Sequence, residues 1–336
     1  MKYNRLGASG LKVSELCLGT MTFGQSTDHT EATSILDAAL AYGVNFLDTA
    51  NSYADSRSES MLGELLGRRR QDLVVATKLF NPMGPGVNDS GMSRRHILQS
   101  VEASLGRLRT DWIDLLYIHH VDEETPLEEM LSALDDLVWQ GKVRYIACSN
   151  YEAWRMTAAL GLSARYGWQR FQANQLQYSL VVRDIEEELV PACLAQDVGV
   201  VTWAPLAGGF LTGKYRAGQR SLEGTRSADG WAFPSVYFAA QADQVLEALC
   251  DVAVSIGATP ARIALRWVMS QPAVASCVVG CRTLGQFEDS AGSVDLDLDA
   301  ESRARLDEIS RLRPRYPKSM EAGMRERRAA AVGHGS

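Results

Sequence analysis

Short, nearly continuous apolar runs recur along the chain and alternate with stretches of helical periodicity. Residues 113–118 are typical of these runs, since Asp114 is their only charged residue. An apolar run without alternation predicts a strand buried on both faces, as in a parallel sheet. The eight runs of this kind are residues 15–21, 43–50, 72–78, 113–118, 142–150, 170–175, 197–205 and 274–280.

The stretches between these runs predict amphipathic helices, because their apolar residues lie three or four positions apart. Ile97, Val101, Leu105 and Leu108 form one such stripe. Eight alternations of strand and helix favour the α/β class and a closed (β/α)8 TIM barrel with long strand-to-helix loops. An open doubly wound sheet is the alternative, and the absence of G-x-G-x-x-G after any strand disfavours it.

Local signals add detail to this architecture. Residues 2–14 predict a short N-terminal β-hairpin. Ser56 and Glu59 predict a capping box at a helix start, and residues 184–196 predict one continuous helix. No linker rich in Pro, Gly or Ser divides the chain, so we predict one domain over residues 1–312, followed by a C-terminal tail over residues 313–336.

The composition is that of a globular enzyme, with 46% hydrophobic and 22% charged residues. A net charge of −7 argues against a nucleic-acid partner or an acidic membrane face. No apolar run reaches membrane-span length, and the N-terminal residues do not resemble a signal peptide. The six cysteines contain no C-x-x-C pair, which indicates reduced thiols and predicts a cytoplasmic location.

Polar and ionisable residues follow most of the predicted strands. In a barrel the carboxyl ends of the strands converge on one mouth, where residues distant in sequence become neighbours. These strand-end residues are Gly19, Thr20 and Met21; Asp48, Thr49 and Ala50; Lys78; His119 and His120; Ser149 and Asn150; Gln175; Trp203; and Gly280, Cys281 and Arg282.

One reading of this mouth is a metal site. His119, His120, Asp122 and Glu123 are of metal-ligand type and follow a single strand. Metal hydrolases on this fold gather ligands from several strand ends and often use His-x-His, which is absent here. We therefore expect no metal and regard a metal-dependent TIM-barrel hydrolase as the weaker alternative.

The strand-end motifs together resemble the aldo-keto reductase superfamily, in family order and spacing, to about residue 312. The similarity is greater to bacterial members with a V-V-G-C-R-type cofactor loop than to the mammalian aldose-reductase branch. It implies an NADP-dependent enzyme that reduces a small-molecule aldehyde or ketone, as a monomer or homo-oligomer. The motifs are Gly19-Thr-Met, Asp48-Thr-Ala with Tyr53, Ala76-Thr-Lys78, Asp114 to His119, Ser149-Asn150, Asn174-Gln175, Trp203-Ala-Pro-Leu206 and Gly280-Cys-Arg282.

The resemblance implies four catalytic residues, and elementary chemistry gives each a role. Tyr53 would donate the proton, although a phenol is a weak acid at its usual pKa of about 10. The ammonium of Lys78 would stabilise the phenolate, and Asp48 would anchor that lysine. His119 would orient the carbonyl oxygen of the substrate by hydrogen bonding.

None of these side chains can donate a hydride, so a nicotinamide cofactor is required. The resemblance implies that NADP(H) lies across the mouth. Ser149, Asn150 and Gln175 would hold its carboxamide, and Trp203 would stack on its ring. Arg282 would contact the 2′-phosphate, nearly alone in selecting NADP over NAD. The full set of implied cofactor residues is Gly19, Thr20, Met21, Asp48, Ser149, Asn150, Gln175, Trp203, Ala204, Pro205, Leu206, Gly208, Lys214, Gly280, Cys281, Arg282, Gln286 and Asp289.

The substrate is expected to contact Tyr53, His119, His120, Phe23 and Trp231. Trp231 belongs to a long irregular segment, residues 214–240, whose length and aromatic content predict a lid. His120 should point away from His119, because neighbours on an extended chain alternate faces. Some relatives with this fold are channel partners, so a non-catalytic NADP-binding regulatory subunit is a second alternative.

Overall fold

A computed structural model describes residues 1–215 and 240–333 of the chain. It begins with an antiparallel hairpin of β1 (Tyr3–Arg5) and β2 (Lys12–Ser14), which confirms the hairpin predicted here. In its turn Gly7 has φ +54°, and a Cβ atom there would lie 2.1 Å from the backbone oxygen of Gln172. The hairpin approaches the barrel this closely because the turn residue is glycine.

Eight parallel strands form a closed barrel in which the last strand pairs with both the first strand and its predecessor. Strands adjacent in sequence are adjacent in the barrel, with helices between them. The predicted (β/α)8 TIM barrel is therefore confirmed. The strands are β3 (Leu16–Gly19), β4 (Phe46–Asp48), β5 (Val74–Leu79), β6 (Ile113–Ile118), β7 (Val143–Ser149), β8 (Phe171–Gln177), β9 (Gly199–Trp203) and β10 (Val274–Gly280).

The helices surround this barrel and end with one that lies beyond the family-like part of the chain. They are α1 (His29–Ala41), α2 (Arg57–Leu66), α3 (Arg94–Leu108), α4 (Leu127–Trp139), α5 (Ala153–Tyr166), α6 (Leu189–Ala195), α7 (Ala240–Ile256), α8 (Pro260–Met269), α9 (Leu284–Ala291), α10 (Ala300–Ile309) and α11 (Lys318–Gly333).

The hydrophobic core has two parts, which explains the continuous apolar runs. On β6, Leu115 and Tyr117 belong to the cluster inside the barrel, whereas Leu116 and Ile118 belong to the cluster between barrel and helices. Burial on both faces favours apolar residues at consecutive positions. Polar residues are then placed at the strand ends, where they meet at the mouth.

Two local predictions are wrong. The helix predicted over residues 184–196 is divided into a 3-10 turn, Asp184–Glu186, and α6. Pro191 lies in the first turn of α6, where its missing N–H is tolerated, but in a helix that began at residue 184 its ring would clash with the carbonyl of Glu187.

The capping box is also absent, because Ser56 has φ 69° and makes no side-chain cap. Its Oγ instead donates to the backbone oxygen of Asn51 at 2.8 Å. Glu59 turns into the protein, where it accepts from Thr77 Oγ1 at 2.5 Å and pairs with Arg107 Nε at 2.6 Å.

The C-terminal tail contains α11, which is held near its start. The backbone N–H of Arg315 donates to Glu187 Oε1 at 3.0 Å, and Lys318 Nζ donates to the backbone oxygen of Glu186 at 3.3 Å.

Most of the predicted lid, with Trp231, lies outside the described residues. None of the helices in the described ranges is by itself long and apolar enough to cross a membrane. The bent pair Gln241–Ile256 and Pro260–Met269 meets those criteria together.

Candidate active site

Lys78 lies near the end of β5 and has no exposed surface. Its Nζ donates to Asp48 Oδ1, to the backbone oxygen of Thr49 at 2.9 Å and to the hydroxyl of Tyr53 at 3.1 Å. Burial alone would lower the pKa of Lys78, but the carboxylate of Asp48 and the hydroxyl of Tyr53 raise it above its ordinary value. The lysine is therefore an ammonium with three acceptors.

Asp48 ends β4 and is buried beside Lys78. Its second oxygen, Oδ2, accepts from Nε2 of Gln175 at 2.7 Å. Both carboxylate oxygens thus have a donor, as a buried charge requires.

Tyr53 follows β4 in a tight loop. Three consecutive residues after it, Ala54, Asp55 and Ser56, have φ between 50° and 69°. The loop is attached to the barrel by Ser58, whose Oγ donates to the backbone oxygen of Thr20 at 2.7 Å and lies 2.9 Å from Thr49 Oγ1. Tight local geometry and this attachment place the Tyr53 hydroxyl against Lys78.

His119 follows β6, and its ring lies edge-on to Tyr53 with centroids 5.8 Å apart. Its Nδ1 lies 3.5 Å from the amide nitrogen of Asn81, which can only donate. We therefore assign Nδ1 as the acceptor and place the proton on Nε2. Burial, the charge of Lys78 and the neighbouring His120 lower the pKa of His119 to about 2, so the imidazole is neutral.

His120 does not point away from His119, contrary to the expectation from strand alternation. The two rings stack with centroids 4.7 Å apart and planes 8° apart. β6 ends at Ile118, so both residues lie beyond the extended segment and its alternation no longer applies. Phe80 meets His120 edge-on at 5.5 Å, giving the mouth an aromatic wall.

Asn150 links three other predicted site residues. Its Oδ1 accepts from Trp203 Nε1 at 3.0 Å, and its Nδ2 donates to the backbone oxygen of His119 at 3.1 Å and to Ser149 Oγ at 3.0 Å. Asn150 has φ 60°, a left-handed conformation that asparagine tolerates better than most residues. Ser149, Asn150, Trp203 and His119 are thus joined at neighbouring strand ends.

The predicted cofactor residues that follow β9 and β10 lie on that side of the mouth. Gly208 and Gly209 have φ 65° and 98°. After β10, the backbone N–H of Arg282 donates to Gln286 Oε1 at 2.9 Å. The backbone oxygen of Cys281 accepts from Thr22 Oγ1 at 2.7 Å, which ties this loop to the one after β3.

Three predicted residues, Phe23, Asp289 and Lys214, have side chains that contact other residues of the protein. Phe23 is completely buried in the outer core, so the substrate contact expected of it is not available in this arrangement. The carboxylate of Asp289 accepts from Thr259 Oγ1 at 3.0 Å and pairs with Arg262 Nε at 3.0 Å, which joins α9 to α8. Lys214 lies with its Nζ 5.4 Å from the ring of Tyr215.

Asn81 is not among the predicted site residues, yet it contacts His119 and donates to Ser52 Oγ at 2.9 Å. Its signal was its position three residues after Lys78, at the end of the same strand. Thr49 was seen only as part of a motif, because a backbone oxygen acting as acceptor leaves no trace in residue type. Among the residues that the structure describes, no group of three or more His, Cys, Asp or Glu side chains is placed to hold a metal ion.

Comparison with known proteins agrees with this geometry. A model of the aldo/keto reductase family matches residues 15–311. The uncharacterized oxidoreductase YrpG of Bacillus subtilis is 37% identical over 326 residues, covering 92% of this chain and 96% of that protein. A probable voltage-gated potassium channel subunit beta of Arabidopsis thaliana is 35% identical over 329 residues, covering 95% of this chain and 99% of that protein.

A fungal enzyme is similar over a comparable length. The versiconal hemiacetal acetate reductase of Aspergillus parasiticus is 32% identical over 355 aligned positions, covering 97% of this chain and all of that enzyme. A family match over most of the chain, with relatives aligned from end to end, shows that this protein belongs to the aldo/keto reductase family and is an oxidoreductase.

Proposed function

We propose that this protein is an NADPH-dependent reductase that converts an aldehyde or ketone to the corresponding alcohol. The observation that carries the proposal is the buried ammonium of Lys78, which donates to the hydroxyl of Tyr53 at 3.1 Å and pairs with Asp48. An ion pair with a purely structural role would not require a phenol at the mouth as its third partner. Donation of a proton to a carbonyl oxygen does require an acidic hydroxyl there.

Tyr53 transfers its hydroxyl proton to the carbonyl oxygen in this proposal. The phenolate that forms is stabilised by the charge of Lys78, which water does not screen because the residue is buried. Asp48 keeps the lysine charged and prevents its Nζ from turning away. The three residues therefore act as one acid, with the proton held at the phenolic oxygen.

His119 orients the substrate in this proposal. A neutral imidazole with its proton on Nε2 offers one N–H to the carbonyl oxygen and adds no competing positive charge. The amide of Asn81, directed at Nδ1, favours this tautomer. The hydrogen bond positions the carbonyl oxygen beside Tyr53.

A nicotinamide cofactor, when bound, would supply the hydride that no protein side chain can donate. The residues present fit such a group. Trp203 offers an indole for stacking, and Ser149 and Asn150 offer polar atoms for a carboxamide. The left-handed Gly208 presents a backbone amide suited to phosphate, whereas the N–H of Gly209 donates to the backbone oxygen of Leu206 at 2.9 Å. Gly19, Thr20, Met21, Ala204, Pro205, Leu206, Lys214, Gly280, Cys281, Gln286 and Asp289 complete the proposed cofactor set.

Arg282 is the basis for proposing NADPH rather than NADH. It lies half-buried after β10, and a guanidinium recognises phosphate by paired hydrogen bonds. Gly280, at the end of β10, and Gln286, on α9, flank the loop and carry no positive charge. Discrimination by the 2′-phosphate would therefore depend mainly on one side chain.

The aromatic side chains at the mouth favour aromatic or apolar carbonyl compounds as substrates. Tyr53, His119, His120 and Phe80 form a row of ring contacts. Such a wall favours a flat, apolar group next to the reacting carbonyl.

We place the activity in one domain over residues 1–312. All six cysteines are free thiols, which agrees with a reducing compartment such as the cytoplasm.

A non-catalytic NADP-binding regulatory subunit is the second candidate, favoured by the similarity to the plant channel subunit. Purified protein should be tested for NADPH oxidation with aromatic aldehydes, α-dicarbonyls and aliphatic aldehydes. NADPH affinity should be measured in parallel by fluorescence. Turnover with at least one class supports the reductase. Tight NADPH binding without turnover across the panel would favour the regulatory subunit instead.

A further inference from the structure

Gln175 makes a contact that crosses the barrel. It lies on β8, whereas Asp48 lies on β4, and these two strands stand four places apart in a ring of eight. They are therefore on opposite sides of the barrel. The amide nitrogen of Gln175 nevertheless reaches Asp48 Oδ2 at 2.7 Å through the barrel interior.

The backbone of Gln175 is fixed from both neighbouring strands. It pairs in register with Ser149 on β7 and with Val201 on β9. Its carbonyl oxygen also accepts from the backbone N–H of Asn150 at 3.0 Å and from Ser149 Oγ at 2.9 Å. The residue is 3% exposed, so its side chain projects from the strand into a closed space.

The contact occupies the one oxygen of Asp48 that Lys78 does not use. Without the Gln175 amide, Oδ2 would be a buried carboxylate oxygen without a donor among the described contacts. Such an atom is costly, and the carboxylate could relieve the cost by rotating or by taking up a proton. Either change would weaken the field that keeps Lys78 charged.

We infer that Gln175 is a positioning residue for the proton-donating group: its amide holds Asp48 across the barrel so that Lys78 stays charged and directed at Tyr53. This inference rests on the reductase function proposed above. It assigns Gln175 a task within the protein that is separate from contact with a cofactor carboxamide. The two tasks differ in what they change, because the first acts on the proton donor and the second on cofactor binding.

The main test compares Gln175→Met with Gln172→Met. Methionine keeps the length of glutamine but cannot donate. Gln172 is a buried glutamine on the same strand whose Oε1 has no hydrogen-bond partner among the described residues, so it is a matched control. We expect Gln175→Met to lower kcat/KM by about ten- to a hundredfold, as for loss of a hydrogen bond to a charged group. The Kd for NADPH should change by less than about threefold, and Gln172→Met should keep kcat/KM near wild type.

The pH profile of kcat/KM provides a readout that a merely structural role would not move. The charge of Lys78 beside Tyr53 sets the pKa of the proton donor that these two residues form, and a displaced Asp48 changes that charge. In Gln175→Met the alkaline limb should therefore shift from its wild-type position. An unmoved limb with weaker NADPH binding would overturn the inference and leave only a carboxamide contact.

Gln175→Glu tests the same contact if the methionine variant does not fold. A protonated glutamic acid can donate to Asp48, whereas an ionised one repels it. Activity should accordingly recover towards wild type as pH falls and collapse as pH rises. A pH dependence parallel to wild type would refute the positioning role. Absence of turnover in the wild-type protein would instead refute the reductase function, and thermal unfolding of both variants across pH would then show whether Gln175 and the buried pair are coupled.

Discussion

The imidazole rings of His119 and His120 stack face to face, with centroids 4.7 Å apart and planes 8° apart. His119 is thereby held between Tyr53 on one side and His120 on the other, while Phe80 supports His120 from its edge. The second histidine thus has a physical role. It limits how far the first can rotate.

Replacing His120 should disturb orientation more than cofactor binding. In His120→Ala we expect kcat/KM for aromatic aldehydes to fall about three- to tenfold, because the stacking contact is worth roughly 0.5–1.5 kcal/mol. The Kd for NADPH should stay unchanged. His29→Ala, at an exposed histidine on α1, is the control, and equal losses in both variants would contradict the role given to the stack.

The two histidines also show what a single sequence can and cannot predict. The apolar run up to Ile118 predicted β6 and placed His119 at the mouth, because burial on both faces leaves a clear pattern. The orientation of His120 was mispredicted because alternation ends with the strand. Helix 184–196 failed for a related reason: its periodicity was extended through Pro191, where backbone chemistry overrides the pattern.

The candidate site was predictable where residue type carries the chemistry. Asp48, Tyr53 and Lys78 were expected to meet, and their side chains do meet. Contacts that depend on three-dimensional reach were not visible. Gln175 holds Asp48 from the opposite side of the barrel, and the contact of Asn81 with His119 requires two loops to converge. Neither contact corresponds to a spacing in the sequence from which it could be predicted.

The buried, neutral His119 should make stability depend on pH. In the folded protein its pKa is about 2, whereas an unfolded histidine has a pKa near 6.5. Between these values the unfolded state binds a proton that the folded state does not, so stability falls as pH drops below about 6.5. His119→Asn should remove up to about 1.4 kcal/mol of this loss per pH unit in urea unfolding. Identical slopes for both proteins between pH 6 and pH 4 would argue against a neutral His119.

Arg282 should discriminate between the two nicotinamide dinucleotides. In Arg282→Ala we expect NADPH binding to weaken by about 1.5–3 kcal/mol, the value of a hydrogen bond to a charged group, with little change for NADH. Equilibrium titration of both cofactors measures this. Arg69→Ala, at an exposed arginine paired with Asp37, is the control. An equal loss for both cofactors would show that Arg282 does not contact the 2′-phosphate.

The link from Trp203 through Asn150 to His119 can be cut without removing an aromatic ring. Trp203→Phe loses the indole N–H that donates to Asn150 Oδ1 at 3.0 Å. Loss of one neutral hydrogen bond of about 0.5–1.5 kcal/mol should lower kcat/KM roughly three- to tenfold. Trp154→Phe, at an exposed tryptophan on α5, should have no effect. A wild-type kcat/KM in Trp203→Phe would mean that Asn150 keeps His119 in place without the indole.

The central claim is that the Tyr53 hydroxyl, held by Lys78, delivers the proton. Tyr53→Phe removes that hydroxyl and leaves the ring that contacts His119, while Tyr166→Phe on α5 controls for the loss of a tyrosine hydroxyl elsewhere. The most direct measurement is the single-turnover rate of NADPH oxidation by an aromatic aldehyde, with NADPH affinity measured on the same samples. We predict a rate at least about a hundredfold below wild type at unchanged NADPH affinity. A rate close to wild type would contradict the assignment of Tyr53 as the proton donor.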